Sequence, residues 1–317
     1  MSNQTSQKHN PIDSILQKYS LVILDGALAT ELEKHGCDLD DPLWSARVLL
    51  EKPEAIVQVH ADYFRKGADV AITSSYQATI AGFAKRGIKK EEAIDLIKKT
   101  VHLARQARDE VWNEEEKTDR SKPLVAASVG PYGAYLADGS EYAGNYGVSD
   151  KCLADFHRPS MEALIEAGAD LLAIETIPSF QEAQVLASLL EEFPGTSAWL
   201  SFSLRNGDAI SDGTNLKRCA ETFNDHNQIV AIGVNCAPVP SAIEAVKELR
   251  RNTVKPIIVY PNSGETYNPE TKTWHGEEAC DPFDIQSEAW YETGARIIGG
   301  CCRTTPEHIE SLAKKWR

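Results

Sequence analysis

Residues 167–178 read AGADLLAIETIP: a helix-ending Ala-Gly, then a run with no polar residue between Asp170 and Glu175. Such a continuous apolar run fits a strand buried on both faces. Gly168 in front of it suits the left-handed residue that ends a helix. The same phrase recurs as KGAD around Gly67 and as TGAR around Gly294, each time just before another apolar run. A helix that stops at glycine and drops at once into a buried strand is the turn of a repeating β-then-α unit.

Working outward, eight β-rich runs follow one another. They are LVILDG from Leu21, DVAITSS from Asp69, LVAASVGP from Leu124, DLLAIET from Asp170, AWLSFSL from Ala198, IVAIGVNC from Ile229, PIIVYPNSG from Pro256 and RIIGGCC from Arg296. Amphipathic segments separate them, such as PEAIVQVHADYFRKGA from Pro53 and TPEHIESLAKKW from Thr305. Eight such units predict an α/β protein, a (β/α)₈ TIM barrel, forming one domain over residues 1–317. The barrel alone takes about 250 residues. The surplus predicts insertions after strands 1 (from Ala27) and 3 (from Tyr132). A doubly wound open sheet is the rival, but neither GxGxxG after the first strand nor GxxxxGK[ST] occurs.

Lys and Arg number 33 and Asp and Glu 47, so the formal charge is 33 − 47 = −14. That argues against nucleic acid or an anionic membrane as partner. No apolar run reaches the roughly 18 residues of a membrane helix. Seven cysteines without a secretion signal predict reduced thiols and a cytoplasmic location. Nothing in the sequence fixes an oligomeric state.

In this fold chemistry sits at the C-terminal ends of strands. Those positions hold Asp25 and Gly26, Ser74 and Tyr76, Ser128, Glu175 and Thr176, Ser203 and Arg205, Asn235 and Cys236, Tyr260 and Asn262, and Cys301 and Cys302. Cys236, Cys301 and Cys302 are thereby predicted to meet at one rim. Three thiolates suit Zn²⁺ and leave a fourth position open. A buried, inert Cys236 or a strained vicinal disulfide are the competing readings. The glycines at 299 and 300 are expected to loosen the strand end so that both neighbouring thiols face one ion. None of the eight histidines stands at a strand end. A zinc with three thiolates is a poor generator of hydroxide but a good holder of another thiol as thiolate, whose unbound pKa is about 8.5. The expectation is alkyl transfer to a thiol substrate.

Asp25 either caps the helix that opens at Ala27 or, with Gly26, shapes a carboxylate site at its N-terminus. Glu175, ending an apolar strand, needs a partner, and an α-ammonium would serve. Together these describe an amino acid with a thiol side chain.

LDGALATELEKHG, SVGPYGAYLADGSEY, ETIP, GVNC, YPNSGE and GGCCRTTPEHI resemble the homocysteine S-methyltransferase family, in particular its S-methylmethionine-using branch, from about residue 20 to the last helix. The resemblance implies a zinc barrel that methylates homocysteine to methionine, with zinc on Cys236, Cys301 and Cys302 and homocysteine bound by Asp25, Gly26 and Glu175. Asn235 and Tyr76 join the candidate substrate site. The branch that uses betaine has a tyrosine after the equivalent of Glu175, where this sequence has Thr176. A sulfonium donor, S-methylmethionine first and S-adenosylmethionine second, is expected, with Tyr76, Tyr132, Tyr135, Glu141 and Tyr142 as a candidate cation-holding rim. A non-catalytic zinc or thiol sensor, and a family member using betaine, remain open. A Schiff-base lyase is disfavoured because no lysine stands at a strand end.

Overall fold

The computed structural model of the chain describes residues 10–39, 45–114, 120–268, 273–275 and 282–317. Its eight barrel strands are β1 (Val22–Ile23), β2 (Val70–Ile72), β3 (Leu124–Val129), β4 (Leu171–Ile177), β5 (Ala198–Phe202), β6 (Ile229–Asn235), β7 (Ile257–Tyr260) and β8 (Ala295–Ile298). They pair in parallel in sequence order, and β8 returns to β1. The seam between β1 and β2 closes through a Leu24–Val70 bridge, with Asp69 N donating to Ile23 O at 2.7 Å and Asp25 N to Val70 O at 3.0 Å. The expected (β/α)₈ barrel is what the chain forms.

Strand alternation sorts the side chains. Val22, Leu24, Val70, Ala126, Leu171, Ala173, Trp199, Ala231, Ile258 and Ile297 fill the interior. Their neighbours Ile23, Ala71, Val125, Leu172, Leu200 and Ile232 pack against the outer helices. Helix Pro11–Leu16 precedes β1 and sends Ile12 and Ile15 into the interior cluster, plugging the end opposite the strand C-termini. Asp69, 2 % exposed, accepts from Ile23 N and is paired with Arg317, whose guanidinium also lies over the Tyr19 ring. The last residue thus ties the closing seam. Among the described residues no helix is long and apolar enough to cross a membrane.

The insertions after β1 and β3 are present: helices Leu28–Lys34 and Ser45–Glu51 after β1, and helix Tyr132–Leu136 with a 3₁₀ turn, Ser140–Tyr142, after β3. The expectation that they lie only in the first half is corrected. Between β7 and its helix Phe283–Thr293 an antiparallel pair, Thr266–Asn268 with Thr273–His275, also intervenes. It carries too few apolar residues to read as strand. Part of the β1 insertion and Cys280 lie outside the described residues.

His60, on helix Pro53–Arg65, is fully buried, and neither ring nitrogen has a partner among the described residues. Burial pushes its pKa down to about 4. The unfolded chain takes up that proton near pH 6.5, the folded chain only near 4. Between those values the unfolded state binds more protons, so stability falls as pH falls. Relative to His60→Leu, the wild type should lose about 2 kcal/mol more on going from pH 7 to 5. Parallel urea-denaturation slopes against pH for the two proteins would rule the effect out.

A three-thiol centre above a polar layer of the barrel

Extending each inward-facing row by two residues carries the interior from apolar to polar. Above Ala126 comes Ser128, above Ala173 Glu175, above Trp199 Ser201, and above Ile258 Tyr260, while β6 ends on Asn235. All of them are buried. Ser128 Oγ donates to Glu175 Oε1 at 2.5 Å and the Tyr260 hydroxyl donates to Glu175 Oε2 at 3.0 Å. Trp199 Nε1 donates to the Tyr260 oxygen at 3.1 Å. Ser201 Oγ lies 2.6 Å from that oxygen and 2.8 Å from Asn235 Oδ1, and its one proton serves one of them at a time.

Glu175 therefore has neutral donors on both oxygens, and no cation among the described residues pairs with it. Burial outweighs those hydrogen bonds and pushes its pKa up to about 7. Asp25, 3 % exposed, is raised too, first by burial and further by the Glu175 charge, against the hydrogen bond from Ile72. Its Oδ2 accepts from Ile72 N at 2.8 Å, while Oδ1 is buried without a partner. Asp25 does not cap the following helix: Ala27 is the N-cap residue and makes no side-chain cap bond. The helix-capping alternative is set aside because the carboxylate instead reaches sideways to β2.

Two non-glycine residues at strand ends have left-handed backbones, Thr176 at φ 57 and Cys236 at φ 52. For a β-branched threonine that conformation is strained and must be held from outside. Asn235 holds it, accepting from Thr176 N at 2.8 Å and donating to Thr176 Oγ1 at 2.7 Å. The β4–β5 register shifts between Ile174 and Ile177, a bulge that re-aims Glu175 and Thr176. The Asn235 side chain is thus spent on holding the end of β4. Its side-chain partners in the structure are Thr176 and Ser201.

The thiols of Cys236, Cys301 and Cys302 converge as the strand ends predict, all within 4.8 Å of one another. Cys236 and Cys302 sulfurs are 3.7 Å apart, and all three cysteines are free. Ligands ~2.3 Å from one ion at tetrahedral angles stand ~3.8 Å apart, so the spacing suits a metal. Two neighbouring cysteines reach one place because Cys301–Thr304 is a tight turn: Thr304 N donates to Cys301 O at 3.2 Å and its Oγ1 to the same oxygen at 2.6 Å. Cys301 N is anchored on Pro261 O and Ser263 N on Cys302 O. The left-handed residue here is Arg303, φ 68, whose guanidinium pairs with Glu265 at 3.1 Å.

The strand ends at Ile298, directly before Gly299 and Gly300, as expected, although neither glycine needs a positive φ. They are there for space. A Cβ on Gly299 would stand 2.5 Å from Leu24 Cβ, and one on Gly300 would strike Thr304. Gly26 is similar: its Cβ would lie 2.7 Å from Thr304 Oγ1 and 2.8 Å from the Tyr63 hydroxyl. That hydroxyl bridges the Ala27 and Thr304 carbonyls, locking the ends of β1 and β8 together.

The candidate aromatic rim divides. Tyr132 and Tyr135 pack on Phe156, and Lys85 sits 4.0 Å over the Tyr135 ring, so these two stabilise the inserted loop. Buried Glu182 fastens that loop, accepting from Tyr132 N at 2.6 Å, the Tyr146 hydroxyl at 3.0 Å and His157 at 2.8 Å. Tyr76 and Tyr142 instead stand close enough to the thiols for Cys236 to raise both hydroxyl pKa values: for Tyr76 behind burial and Tyr142, for Tyr142 ahead of burial. Ser128, Ser201, Tyr260 and Trp199, which complete the Glu175 network, had no role assigned from sequence. The inward period of two was the signal for them.

Comparison with known proteins accords with this geometry. The family model described as homocysteine S-methyltransferase matches residues 22–316. The chain is 57% identical to homocysteine S-methyltransferase YbgG of Bacillus subtilis, covering 96% of this chain and 97% of that one. It is 50% identical to homocysteine S-methyltransferase of Escherichia coli, covering 96% and 98%. The crystal structure of the metallated form of the homocysteine methyltransferase MmuM from Escherichia coli matches with a TM-score of 0.88 and 48% identity, covering 96% of this chain and 100% of that one. The present chain belongs to the homocysteine S-methyltransferase family and is an enzyme of that activity.

Proposed function

We propose that the enzyme moves a methyl group from the sulfonium of S-methylmethionine to the sulfur of homocysteine, with zinc on Cys236, Cys301 and Cys302. The observation that carries the metal is the convergence of three free thiols at a spacing that suits a tetrahedral ion. Bound there, zinc holds the substrate sulfur as a thiolate below its ordinary pKa of about 8.5. Glu175 and the unpartnered Asp25 Oδ1 take the substrate ammonium, and the backbone following Gly26 takes its carboxylate. Asn235 keeps Thr176 and the end of β4 in place for that contact. Ser128 and Tyr260 fix the Glu175 carboxylate so that it is aimed before substrate arrives.

Methyl transfer needs a good leaving group rather than an acid or base. A sulfonium leaves as a neutral thioether: its C–S bond breaks, the electron pair stays on the departing sulfur, and the carbon joins the homocysteine sulfur. The thiol proton is lost to solvent on binding. S-Adenosylmethionine presents the same group with a larger substituent and should be the poorer donor. Thr176, where the betaine branch carries tyrosine, supports the sulfonium reading. Zinc-loaded enzyme assayed for methionine formation should give a higher kcat/KM with S-methylmethionine than with S-adenosylmethionine, betaine or methyltetrahydrofolate. A higher value for betaine or the folate overturns the donor assignment while leaving the thiol centre intact.

A further inference from the structure

On the reading given above, Asp25 takes the ammonium of the thiol substrate, while Cys301 and Cys302 belong to the centre that takes its sulfur. The two ends of the site are thus set by the ends of β1 and β8. The ladder between these strands is short: β1 has two residues, Val22 and Ile23, paired with Ile297 and Ile298. Leu24 N then donates to Ile298 O at 2.8 Å and Gly300 N to Asp25 O at 3.0 Å. Beyond these bonds the contact passes to a clasp of irregular backbone.

Three groups make that clasp. Ala27 N donates to both the carbonyl and the Oγ1 of Thr304, each at 3.2 Å. Thr304 Oγ1 donates in turn to Cys301 O at 2.6 Å, closing the turn that carries both thiols. The Tyr63 hydroxyl reaches in from helix Pro53–Arg65 and lies 3.2 Å from Ala27 O and 3.1 Å from Thr304 O, one proton between two carbonyls. Tyr63 and Thr304 are both buried, so water does not compete for these bonds. The crossing has no slack. A Cβ on Gly26 would stand 2.7 Å from Thr304 Oγ1 and 2.8 Å from the Tyr63 hydroxyl, and one on Gly300 would strike Thr304. Tyr63 thus stands on an outer helix, yet it ties the strand end that carries Asp25 to the turn that carries Cys301 and Cys302.

We propose that Tyr63 is a positioning residue that fixes the span from Asp25 to the thiols, and thereby selects homocysteine over cysteine. The inference rests on the homocysteine contacts given above. The two amino acids differ by one methylene between the α-carbon and the sulfur. At a fixed span the shorter one cannot place its ammonium at Asp25 and its sulfur at the thiol centre together. One methylene is worth about 10- to 200-fold in discrimination. Only a rigid frame collects that factor, because a site free to close by the length of one bond fits both substrates. The Tyr63 hydroxyl bonds to backbone, so its removal relaxes the span without removing a substrate contact. Phenylalanine keeps the ring in its packing. The two carbonyls keep other donors, Ala27 N on Thr304 O at 3.2 Å and Glu31 N on Ala27 O at 3.4 Å, so the fold should survive the change.

Zinc-loaded full-length Tyr63→Phe, compared with wild type, tests this. Calorimetric titration should show wild type binding homocysteine more tightly than cysteine by about 10-fold or more. In Tyr63→Phe that ratio should fall about 3- to 10-fold, as for loss of one hydrogen bond. The fall should come from weaker homocysteine binding, with cysteine binding unchanged or tighter. The ratio of kcat/KM for the two thiols, with one methyl donor, should fall by the same factor, and zinc content by native mass spectrometry should stay at the wild-type level. Thr304→Val loosens the clasp from the other strand and should lower the ratio as well, which keeps the test open if Tyr63→Phe does not fold. Equal losses for the two thiols, or a wild-type ratio in either folded variant, make the clasp merely structural and overturn the proposal. Wild type that binds cysteine as tightly as homocysteine overturns it at once. Asp25→Asn is the control on the underlying reading. If it binds homocysteine as wild type does, the ammonium is not at Asp25 and the span loses its anchor. If it binds homocysteine weakly while Tyr63→Phe keeps the wild-type ratio, the role of Tyr63 alone is overturned.

Discussion

Cys302→Ser should fold, carry no stoichiometric zinc and form methionine only at background rate. Its thiol is 3.7 Å from that of Cys236, an edge of the ligand set. Serine offers a hydroxyl that stays protonated at neutral pH and is too hard a ligand for a site built from sulfur. Two remaining thiols do not make the closed face of a tetrahedral site. The backbone should survive the change. The turn at 301–304 is held by Thr304 N and Oγ1 on the Cys301 carbonyl, by Cys301 N on Pro261 O and by Ser263 N on Cys302 O, none of which involves a sulfur. Metal analysis by native mass spectrometry separates ligand loss from misfolding, and a melting scan adds a second readout. Added zinc should raise the melting temperature of wild type, because a ligand that binds only the folded state stabilises it, and leave that of Cys302→Ser unmoved. Cys236→Ser should behave alike. Full zinc occupancy in both variants would sink the three-thiol centre.

How much of this the sequence discloses depends on whether a residue's role is local or shared between strands. The barrel follows from recurrent phrases such as AGAD before Leu171 and from eight apolar runs, because period and burial are written locally. The three cysteines follow from one further rule, that strand C-termini share a rim. What lies between strands is harder. The hydrogen bonds of Asn235 to Thr176 exist because Thr176 adopts a left-handed backbone next to a bulge, and no local pattern around ETIP announces either. Asp25 before ALATELE reads as an N-cap by the local rule, yet its carboxylate goes to Ile72 N on the neighbouring strand. Gly299 and Gly300 read as flexible, yet they are also small because Leu24, at the end of a strand far away in sequence, presses on the first and Thr304, in the turn that follows, presses on the second. Tyr132, Tyr135, Glu141 and Tyr142 are close in sequence and look alike as a rim. Only the packing of Phe156 and Lys85 against the first pair separates them from the second.

Glu175→Gln should weaken homocysteine binding and strengthen the empty protein at the same time. The carboxylate is 7 % exposed, is held by Ser128 and Tyr260, and has a pKa pushed up to about 7 by burial. Its unfolded value is near 4.5. Between those values the folded state keeps a proton that the unfolded chain has lost, so stability falls as pH rises from about 4.5 to about 7 and the full cost is present above that. The gap corresponds to about 3 kcal/mol at pH 8. Glutamine keeps the shape without that charge, so the stability advantage of the metal-free variant over metal-free wild type should grow by about 2.5 kcal/mol between pH 5, where a small part of the cost is already present, and pH 8. Homocysteine reverses the balance. Its ammonium supplies the positive charge that nothing among the described residues gives Glu175, and glutamine cannot answer it. Loss of a charged hydrogen-bond partner amounts to about 1–3 kcal/mol, or about 5- to 150-fold in affinity. Zinc content should be unchanged, since Glu175 is not a ligand. Denaturation curves at the two pH values and homocysteine titration of the zinc-loaded variant measure the two effects separately. If homocysteine affinity held while stability rose, Glu175 would be a buried carboxylate without a substrate. If both stayed at wild-type values, its raised pKa would have no consequence. A loss of affinity together with a gain in stability is what a group that accepts instability in order to await a cation must show.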